Sequence, residues 1–263
     1  MKKYLVIGNP IDHSLSPKLH NYWIKENNID AVYDRKQLNE IDIKGIISEI
    51  RNEKINGINV TLPFKKFIIP FIDQLSPEAK ETQSVNTVYK QNDKIVGHNT
   101  DAKGFELALK HINYNVKNKK IFILGAGGVV PSIIYALKKM EASEIILSNR
   151  TKKRAEDLKK IFNHIQVIDW GENTGFNMII NATSLGLKND DEVKLDYDAI
   201  GSNKLFYDII YNSKQTNFLK KAKQFGNQTE NGKMMFIYQA QQAFAVWHKI
   251  IPKINNNIIK LLD

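Results

Sequence analysis

Cysteine is absent from the 263-residue chain, which excludes disulfide bonds, thiolate metal sites and cysteine nucleophiles. Long apolar runs are absent as well. The nearest candidate for a membrane span, residues 121–137, is shorter than the about 20 residues that a span needs and contains glycines and a proline. The histidines lack the spacing of a zinc-binding motif. We therefore expect neither a bound metal nor a membrane span.

The first residues, MKKYLVIGNP, contain a short apolar run but neither the long apolar core nor the cleavage site of a signal peptide. We interpret them as a first strand and expect a cytoplasmic protein. Apolar residues make up 42% and charged residues 25% of the chain, as in ordinary soluble globular proteins. A chain of this length can form one large domain or two modest ones.

Positive charge is in excess, with a formal net charge of +10. A nucleic-acid-binding protein usually gathers such charge in one stripe with aromatic residues among it, whereas the lysines here are scattered along the chain. We expect a solvated surface that favours anionic small molecules, and not a nucleic-acid partner. DNA binding that falls steeply with salt would support the alternative.

The N-terminal hundred residues alternate between strand and helix patterns, which predicts an α/β fold. The predicted strands are Tyr4–Gly8, Ala31–Arg35 and Gly57–Thr61, the predicted helices are Pro17–Asn27 and Ile43–Asn52, a helical stretch runs from Pro63 to about Leu75, and a hairpin spans residues 84–101.

Two serines lie in the polar loop after the first strand. Ser16 is predicted to be the N-cap of the first helix, because Pro17 fits the first helical position. Ser14 lies two residues before it. The two hydroxyls either only cap and turn the chain or together bind a hydroxylated ligand.

Lys65 follows a bend between the third strand and a helix, because Pro63 cannot continue a strand but fits a first helical turn. Asn59 and Thr61 point to the same side of that strand. A single lysine in such a place is usually an ordinary surface residue. Asp101, after the hairpin, is in the same way a common helix N-cap. A functional interpretation of either residue depends on the rest of the chain.

A glycine turn joins the apolar strand 119–124 to a predicted helix, Val129–Met140. In Gly125-Ala126-Gly127-Gly128 the first glycine allows the turn and the second lets the backbone approach a pyrophosphate at the helix N-terminus. Val130 occupies the position of the third glycine of the dinucleotide-binding fingerprint. The fingerprint is incomplete, but its place between a strand and a helix favours a nucleotide cofactor.

The next strand ends at Ser148 and is followed by Asn149, Arg150 and a basic segment, residues 152–154. An NAD site favours an acidic residue here, which bonds the free ribose hydroxyl. Asparagine and guanidinium groups would instead hold a 2′-phosphate. The sequence therefore favours NADP(H) over NAD, unless these residues form only a solvated helix start.

Two further apolar strands, Asn177–Asn181 and Leu205–Tyr211, end in polar residues, and ligands of open α/β sheets collect at such ends. A last long helix is predicted over Lys233–Ile251, and its apolar residues repeat at helical spacing. Gln239 lies on that same apolar face. A buried amide needs partners, and a ligand is one way to supply them.

Together these segments resemble the shikimate dehydrogenase family, the NADP-dependent shikimate oxidoreductases of chorismate and aromatic amino-acid biosynthesis. Each segment is common by itself, but all of them in one order are highly specific. The resemblance is carried by residues 6–10, 13–17, 59–65, 85–87, 99–101, 124–128, 149–151, 181–184, 207–211 and 239–240.

The resemblance implies two α/β domains with the active site in the cleft between them. An open α/β substrate domain would comprise residues 1–101, completed by the C-terminal helices in residues 233–263. A Rossmann-type NADP-binding domain would be inserted as residues 102–232. The protein would be a monomer or a homodimer that binds shikimate and 3-dehydroshikimate.

The resemblance also implies the roles of individual residues. Lys65 and Asp101 would be the catalytic acid–base pair and would contact the substrate. The other substrate-binding positions would be Ser14, Ser16, Asn59, Thr61, Asn86, Tyr211 and Gln239. The cofactor-binding positions would be Gly125, Ala126, Gly127, Gly128, Asn149, Arg150, Thr151, Arg154, Thr183, Gly232 and Met235.

The chemistry agrees with these roles, because hydride transfer to a ring ketone develops an alkoxide that needs positive charge and a proton. Lys65 can supply both, and Asp101 would orient it or share the proton. A quinate/shikimate dehydrogenase that uses NAD is the nearest alternative. A non-catalytic protein that binds NADP or the substrate with the same fold is a further one.

Overall fold

The computed structural model describes residues 1–187, 191–213 and 215–262. The chain divides into two compact units. The first comprises Met1–Gly104 and Ile237–Asp263, and the second comprises Phe105–Phe236. The boundaries predicted from the sequence, after residues 101 and 232, lie near these limits. Their assignment to a substrate domain and a cofactor domain stays a prediction.

The strands of the described residues form two six-stranded sheets. The first unit contains β1 (Lys2–Gly8), β2 (Ala31–Gln37), β3 (Gly57–Val60), β4 (Gln74–Leu75), β5 (Thr87–Gln91) and β6 (Lys94–His98). The second unit contains β7 (Lys120–Leu124), β8 (Glu144–Ser148), β9 (Gln166–Ile168), β10 (Met178–Asn181), β11 (Leu205–Asp208) and β12 (Gln228–Glu230).

The helices are α1 (Ser16–Glu26), α2 (Ile43–Arg51), α3 (Phe64–Phe67), α4 (Pro77–Thr82), α5 (Asp101–His111), α6 (Val130–Lys139), α7 (Lys152–Ile161), α8 (Tyr197–Ile200), α9 (Asn217–Gln224), α10 (Lys233–His248) and α11 (Asn256–Leu261). Short 3-10 turns occupy Glu40–Asp42 and Ile69–Phe71. In the part of the chain that is described, no helix is both long and apolar enough to cross a membrane.

The sheet of the first unit is mixed, with the order β2-β1-β3-β5-β6-β4. Strand β1 pairs in parallel with β2 and β3. The predicted hairpin is present as β5 and β6, and β5 pairs antiparallel with β3. Helix α2 covers this sheet with four isoleucines at helical spacing, Ile43, Ile46, Ile47 and Ile50, all of which are buried. Burying each such side chain stabilises the fold by about 2 kcal/mol.

The sheet of the second unit is parallel throughout, with the order β12-β11-β10-β7-β8-β9. Strands β10 and β11 are buried along their whole length, as their continuous apolar sequences predict for a parallel sheet covered on both faces. The aromatic side chains of Phe122, Phe176, Phe206 and Phe218 form part of the core against this sheet. The predicted α/β fold is confirmed in both units.

Ser16 is not the N-cap of α1, contrary to the prediction. Leu15 takes the cap position with helical dihedral angles (φ −85°, ψ −3°) and makes no side-chain cap. The helical conformation therefore begins one residue earlier than a serine cap would place it. The Ser14 hydroxyl instead accepts a hydrogen bond from the Ser16 backbone N–H at 3.3 Å.

Three predicted boundaries are also wrong. The helical stretch after Pro63 does not continue to Leu75, because α3 ends at Phe67 and a 3-10 turn and strand β4 follow. The last long helix ends at His248 and not at Ile251, since Lys249 adopts a left-handed conformation with φ of 58°. Strand β11 ends at Asp208, three residues before Tyr211.

Candidate active site

Lys65 is held in place by its own backbone and by the residue before it. Strand β3 is buried at all four of its positions, and α3 begins soon after it because Phe64 inserts its ring into the core with 1% exposure. The Lys65 carbonyl oxygen accepts a hydrogen bond from the Val85 N–H at 2.8 Å. The local fold therefore fixes the Cα of Lys65 beside the segment that leads into β5.

The Lys65 ammonium contacts the Asp101 carboxylate. Lys65 Nζ lies 2.5 Å from Asp101 Oδ2, and the side chains are only 14% and 7% exposed. The two residues are 36 positions apart in the sequence. Asp101 is the first residue of α5, and its carboxylate bonds Lys65 and Asn86. The structure thus brings together the two residues predicted to be catalytic.

Asn86 and Gln239 border the same carboxylate. Asn86 Nδ2 donates to Asp101 Oδ1 and to Thr100 Oγ1, both at 2.9 Å, and lies 3.5 Å from Gln239 Oε1. Asn86 Oδ1 accepts from the Thr100 N–H at 2.8 Å. These bonds lock the orientation of the Asn86 amide, so its nitrogen points to the carboxylate.

Gln239 reaches this position because α10 packs closely on α5 at a glycine. A Cβ added to Gly104 would lie 2.7 Å from Gln239 Cβ and 2.8 Å from the Gln239 backbone nitrogen. A larger residue at position 104 would therefore displace the helix segment that carries Gln239. The predicted polar position on the apolar face of α10 is confirmed as half-buried beside Asn86.

Asn59 is bonded mostly within the fold. Its Oδ1 accepts from the Tyr33 hydroxyl at 2.7 Å, and its Nδ2 donates to Asn86 O and Thr87 Oγ1, both at 3.1 Å. Both amide protons are used, and one acceptor lone pair remains. Thr61 lies just beyond β3 and is half-buried. Asn59 therefore holds the backbone of Asn86 through a hydrogen bond and lies near the end of β3.

Tyr33 joins the serine loop to this network, a role that the sequence analysis missed. Its hydroxyl donates to Asn59 Oδ1, and the nearby Ser16 side chain opposes the rise in its pKa that burial causes. Burial raises the pKa of Tyr33 well above its ordinary value, so the hydroxyl stays protonated and able to donate. Ser16 is buried and Ser14 is half-buried. A tyrosine on a strand looks like an apolar core residue, and no sequence signal pointed to this bond.

The glycine turn in the second unit has the shape that a phosphate-binding turn requires. Gly125 has φ of +105°, and a Cβ added there would lie 2.6 Å from the Ala182 carbonyl oxygen. Only glycine fits this position. Gly127 and Gly128 are exposed, and α6 begins at Val130, which is buried together with Pro131. Backbone at the turn is thus accessible to an anionic ligand at a helix N-terminus.

Asn149 ties the glycine turn to the following basic segment. Its Oδ1 accepts from the Ala126 N–H at 3.0 Å, and its Nδ2 donates to the Thr151 carbonyl oxygen at 2.8 Å. Arg150, Thr151 and Arg154 are exposed beside it. The two guanidinium groups are therefore accessible to a phosphate.

The remaining predicted positions also belong to the second unit. The Thr183 hydroxyl donates to Asn181 Oδ1 at 2.7 Å. Gly232 lies so close to Ile209 that the Ile209 carbonyl oxygen fills the place of a Cβ. Met235 is buried, and the Tyr211 ring stacks on Phe236 at 4.4 Å between centroids. Of the predicted substrate residues, Tyr211 alone belongs to this unit.

The sequence analysis also missed several polar residues that hold the predicted ones. Thr87 and Thr100 bond Asn59 and Asn86 in the first unit. Asn181 and Asp208 perform a similar role in the second unit. A signal was present, because all four residues lie within or next to the motifs that carry the family resemblance. Within the described ranges, no group of three or more His, Asp or Glu side chains could hold a metal ion.

Comparisons with known proteins match this chain over its whole length. A family model described as the shikimate dehydrogenase substrate binding domain matches residues 6–88, and one described as shikimate / quinate 5-dehydrogenase matches residues 106–183. The NADP(+) shikimate dehydrogenase of Pelagibacter ubique is 59% identical, with 100% of this chain and 99% of that protein covered.

Two solved structures show the same fold. Shikimate 5-dehydrogenase from Thermus thermophilus, in complex with NADP(H) and shikimate, is 29% identical with a TM-score of 0.90, covering 100% of this chain and 98% of that one. The enzyme from Listeria monocytogenes, in complex with shikimate and NAD, is 28% identical with a TM-score of 0.92, covering 100% and 96%. The predicted fold class and family are confirmed, and the chain belongs to the shikimate dehydrogenase family.

Proposed function

We propose that the protein catalyses the reversible NADPH-dependent reduction of 3-dehydroshikimate to shikimate, a step of chorismate and aromatic amino-acid biosynthesis. Family membership and the name of the Pelagibacter relative support this function. The observation that carries the mechanism is the buried contact between Lys65 and Asp101, with Asn86 and Gln239 beside it.

The reaction adds a hydride to the carbonyl carbon of the substrate and a proton to its oxygen. NADPH, when bound, supplies the hydride. Lys65 Nζ donates to Asp101 and keeps two further N–H bonds for a ligand. The ammonium stabilises the negative charge that develops on the substrate oxygen. Lys65 and Asp101 together act as the acid–base pair that delivers the proton, with Asp101 holding Lys65 in position.

The first unit holds the ring acid, in this proposal. The amide of Gln239 and the remaining acceptor of Asn59 bind substrate hydroxyls. Asn86 joins them by exchanging its bond to Thr100 for one to the substrate, because both of its amide protons are otherwise donated to Asp101 and Thr100. Ser14, Ser16 and Thr61 supply hydroxyl groups, and Tyr211 supplies a phenol. The Ser14 hydroxyl accepts from the Ser16 N–H. The Ser16 side chain lies near Tyr33, whose hydroxyl donates to Asn59, so the serine loop and the end of β3 lie close together.

The second unit holds NADP(H), and its residues fit this cofactor. A Cβ at residue 125 would clash with the Ala182 carbonyl oxygen, so the tight turn between β7 and α6 requires glycine there. The turn of Gly125, Ala126, Gly127 and Gly128 would hold the pyrophosphate, while the Ala126 N–H is bonded to Asn149 Oδ1. Asn149, Arg150, Thr151 and Arg154 bind the adenosine ribose and its 2′-phosphate. Thr183, Gly232 and Met235 would border the nicotinamide.

The decisive experiment follows NADPH oxidation with 3-dehydroshikimate in the wild type and two lysine variants. Lys65→Met is expected to lose roughly three orders of magnitude in kcat while KM rises only modestly, because it removes charge and proton at the transition state. The adjacent Lys66→Met is the matched control, since Lys66 is exposed, and it should keep nearly normal turnover. Near-normal turnover in Lys65→Met would remove Lys65 from the mechanism.

A second candidate is a quinate/shikimate dehydrogenase that uses NAD, which is favoured by the family description of residues 106–183 and by NAD in the Listeria structure. Comparing kcat/KM for NADPH with NADH, and for shikimate with quinate, separates the two. A marked preference for NADH would contradict the role proposed for Asn149 to Arg154. Binding of NADPH without any oxidation would support a non-catalytic protein.

We also propose that the protein acts as a monomer or a homodimer in the cytoplasm, without a nucleic acid or a membrane as partner. Part of its positive charge is paired at the surface, as in Lys90 with Glu53 and Lys117 with Glu141. Size-exclusion chromatography with light scattering would test the oligomeric state.

A further inference from the structure

The loop between β11 and α9, of which residues 209–213, 215 and 216 are described, is bonded by one carboxylate at Ile210 and at Thr216. Asp208 Oδ1 accepts a hydrogen bond from the Ile210 N–H at 3.1 Å, at the start of this loop. Asp208 Oδ2 accepts from the Thr216 hydroxyl at 2.6 Å, at its end. Thr216 is the cap position of α9 but makes no side-chain cap. Its hydroxyl is directed to Asp208 instead.

The same carboxylate is joined to the neighbouring loop through Asn181. Asn181 Nδ2 donates to Asp208 Oδ1 at 3.1 Å and to the Leu185 carbonyl oxygen at 3.0 Å. Asn181 Oδ1 accepts from the Thr183 N–H at 3.1 Å and from the Thr183 hydroxyl at 2.7 Å. The ends of the adjacent strands β10 and β11 are therefore joined by side chains as well as by backbone.

Tyr211 lies within the loop that Asp208 holds. On one side of it the Ile210 carbonyl oxygen accepts from the Gly232 N–H at 3.0 Å, and the Ile209 N–H donates to Asn181 O at 3.0 Å. The Tyr211 ring stacks on Phe236 with an interplanar angle of 13°. The backbone around Tyr211 is thus fixed by bonds that converge on Asp208 and its neighbours.

Asp208 is fully buried, and its partners in the described part of the chain are neutral donors. Burial raises the pKa of its carboxyl, and the hydrogen bonds from Thr216, Ile210 and Asn181 oppose that rise. A buried carboxylate without a cation is costly to the fold. Hydrogen bonds to a charged acceptor are shorter and stronger than neutral ones, so what the carboxylate adds is a more rigidly held loop.

We propose that Asp208 is a positioning residue for the substrate, because its carboxylate clamps both ends of the loop that presents Tyr211. This inference rests on the proposed function, in which Tyr211 holds the substrate. Asp208 is fully buried, so in this proposal it acts through Tyr211 and does not bind the substrate itself. Its contribution to catalysis is to keep the phenol of Tyr211 in one place before the substrate binds.

The test removes the hydrogen bond between Thr216 and Asp208 and measures whether the resulting loss of substrate affinity depends on Tyr211. Thr216→Val deletes the hydroxyl that bonds Asp208 and is expected to raise KM for 3-dehydroshikimate about tenfold, the size expected for the loss of a charge-assisted hydrogen bond in a binding loop. Thr216→Ser retains the hydroxyl and should stay close to the wild type. Thr229→Val, on β12, is the matched control and should not change KM.

A double-mutant cycle with Tyr211→Phe distinguishes positioning from general destabilisation. If Asp208 acts through Tyr211, the variant with both Thr216→Val and Tyr211→Phe has the same KM as Tyr211→Phe alone. The calorimetric dissociation constant of shikimate in the presence of NADP+ should follow the same pattern without turnover.

Two outcomes would overturn the inference while the proposed function stands: an active wild type in which Thr216→Val matches Thr229→Val, or one in which the effects of Thr216→Val and Tyr211→Phe multiply. Multiplied effects would mean that the clamp acts on the fold and not on the phenol. A wild type without any activity on 3-dehydroshikimate would refute the proposed function itself, and this inference with it.

Discussion

Replacing His20 by phenylalanine is expected to remove much of the acid sensitivity of the first unit. His20 lies in α1 with 1% exposure, and its ring stacks on Tyr33 at 4.2 Å between centroids. Neither ring nitrogen has a hydrogen-bond partner among the residues described. Burial lowers the pKa of His20 to about 3, with a smaller contribution from His248. The folded protein therefore holds His20 neutral.

The direction of the effect follows from proton binding. An unfolded chain protonates His20 as the pH falls through its ordinary pKa of 6.5, whereas the folded chain does so only near its pKa of about 3. The unfolded state then binds more protons, so the free energy of unfolding decreases as the pH falls. The contribution of His20 to stability is fully present above pH 6.5 and is lost progressively between 6.5 and 3.

The magnitude follows from the two pKa values of His20, 6.5 and about 3. Between about pH 8 and about pH 5 the proton bound by the unfolded state removes about 2 kcal/mol of unfolding free energy. Because about pH 5 lies well above the folded pKa, the unfolded pKa sets this value. A loss of about 2 kcal/mol is a large share of the unfolding free energy of 5–15 kcal/mol that is typical of a folded protein. Phenylalanine keeps the aromatic packing and cannot take up a proton.

The assay uses urea unfolding followed by tryptophan fluorescence in a Trp170→Phe background. Only Trp23 and Trp247 then remain of the three tryptophans, and both lie in the first unit within 5.9 Å of His20 between ring centroids. The free energy of unfolding is measured at about pH 8 and about pH 5, with and without His20→Phe. The difference between the two pH values should be smaller in the variant by about 2 kcal/mol.

The exposed His13 provides the control, because His13→Phe makes the same replacement outside the buried ring cluster around Tyr33. Burial also lowers the pKa of His248, to about 4, so some acid sensitivity should persist in every variant. If His20→Phe lost as much stability on acidification as its parent, the folded protein would have to protonate His20 readily. The neutral, unpartnered imidazole inferred from the structure would then be wrong.

Two further predictions concern the proposed active site. Gly104→Ala should push Gln239 away and raise KM for 3-dehydroshikimate. The control is Gly45→Ala, in a helix with nothing within 4 Å of the added Cβ, which should stabilise the protein by about 0.5–1 kcal/mol. Equal effects of the two variants on KM and melting temperature would contradict the close packing of α10. Arg150→Ala should weaken binding of NADPH by roughly 10- to 100-fold and leave NADH nearly unaffected; equal losses for both cofactors in fluorescence titrations would remove Arg150 from the 2′-phosphate site.

The sequence predicted the elements with strong periodicity. Strands β1, β7, β8 and β10 lie where apolar runs indicated them, because a strand in the middle of a covered sheet is largely apolar on both faces. Short edge strands were missed for the opposite reason. Strands β9 and β12 have three residues each, with a polar residue at the start. So few half-exposed residues leave no periodic pattern, and tertiary pairing decides their conformation.

The candidate site was predicted in part, and the contacts within it could not be. Residues 65 and 101 were identified through their motifs, but their 2.5 Å contact spans 36 positions, which no local pattern encodes. Ser16 was misassigned because a serine before a proline fits a helix cap, whereas in the structure Leu15 already has helical dihedral angles. The Ser16 N–H is bonded to the Ser14 hydroxyl, so the preceding loop determines where the helix begins.

Asn86 in the first unit and Asn181 in the second each hold an aspartate carboxylate with the same pattern of hydrogen bonds. The two carboxylates are nevertheless suited to different tasks. Each asparagine accepts a backbone N–H through its oxygen and donates from its nitrogen to a buried aspartate, Asp101 or Asp208. Asp101 additionally bonds an ammonium that keeps N–H groups for a ligand. Asp208 is fully buried, and the bonds made to it by the described residues come from the backbone and side chains of its own unit. The Asp101 carboxylate can therefore take part in proton transfer, whereas the Asp208 carboxylate can only hold the chain that surrounds it.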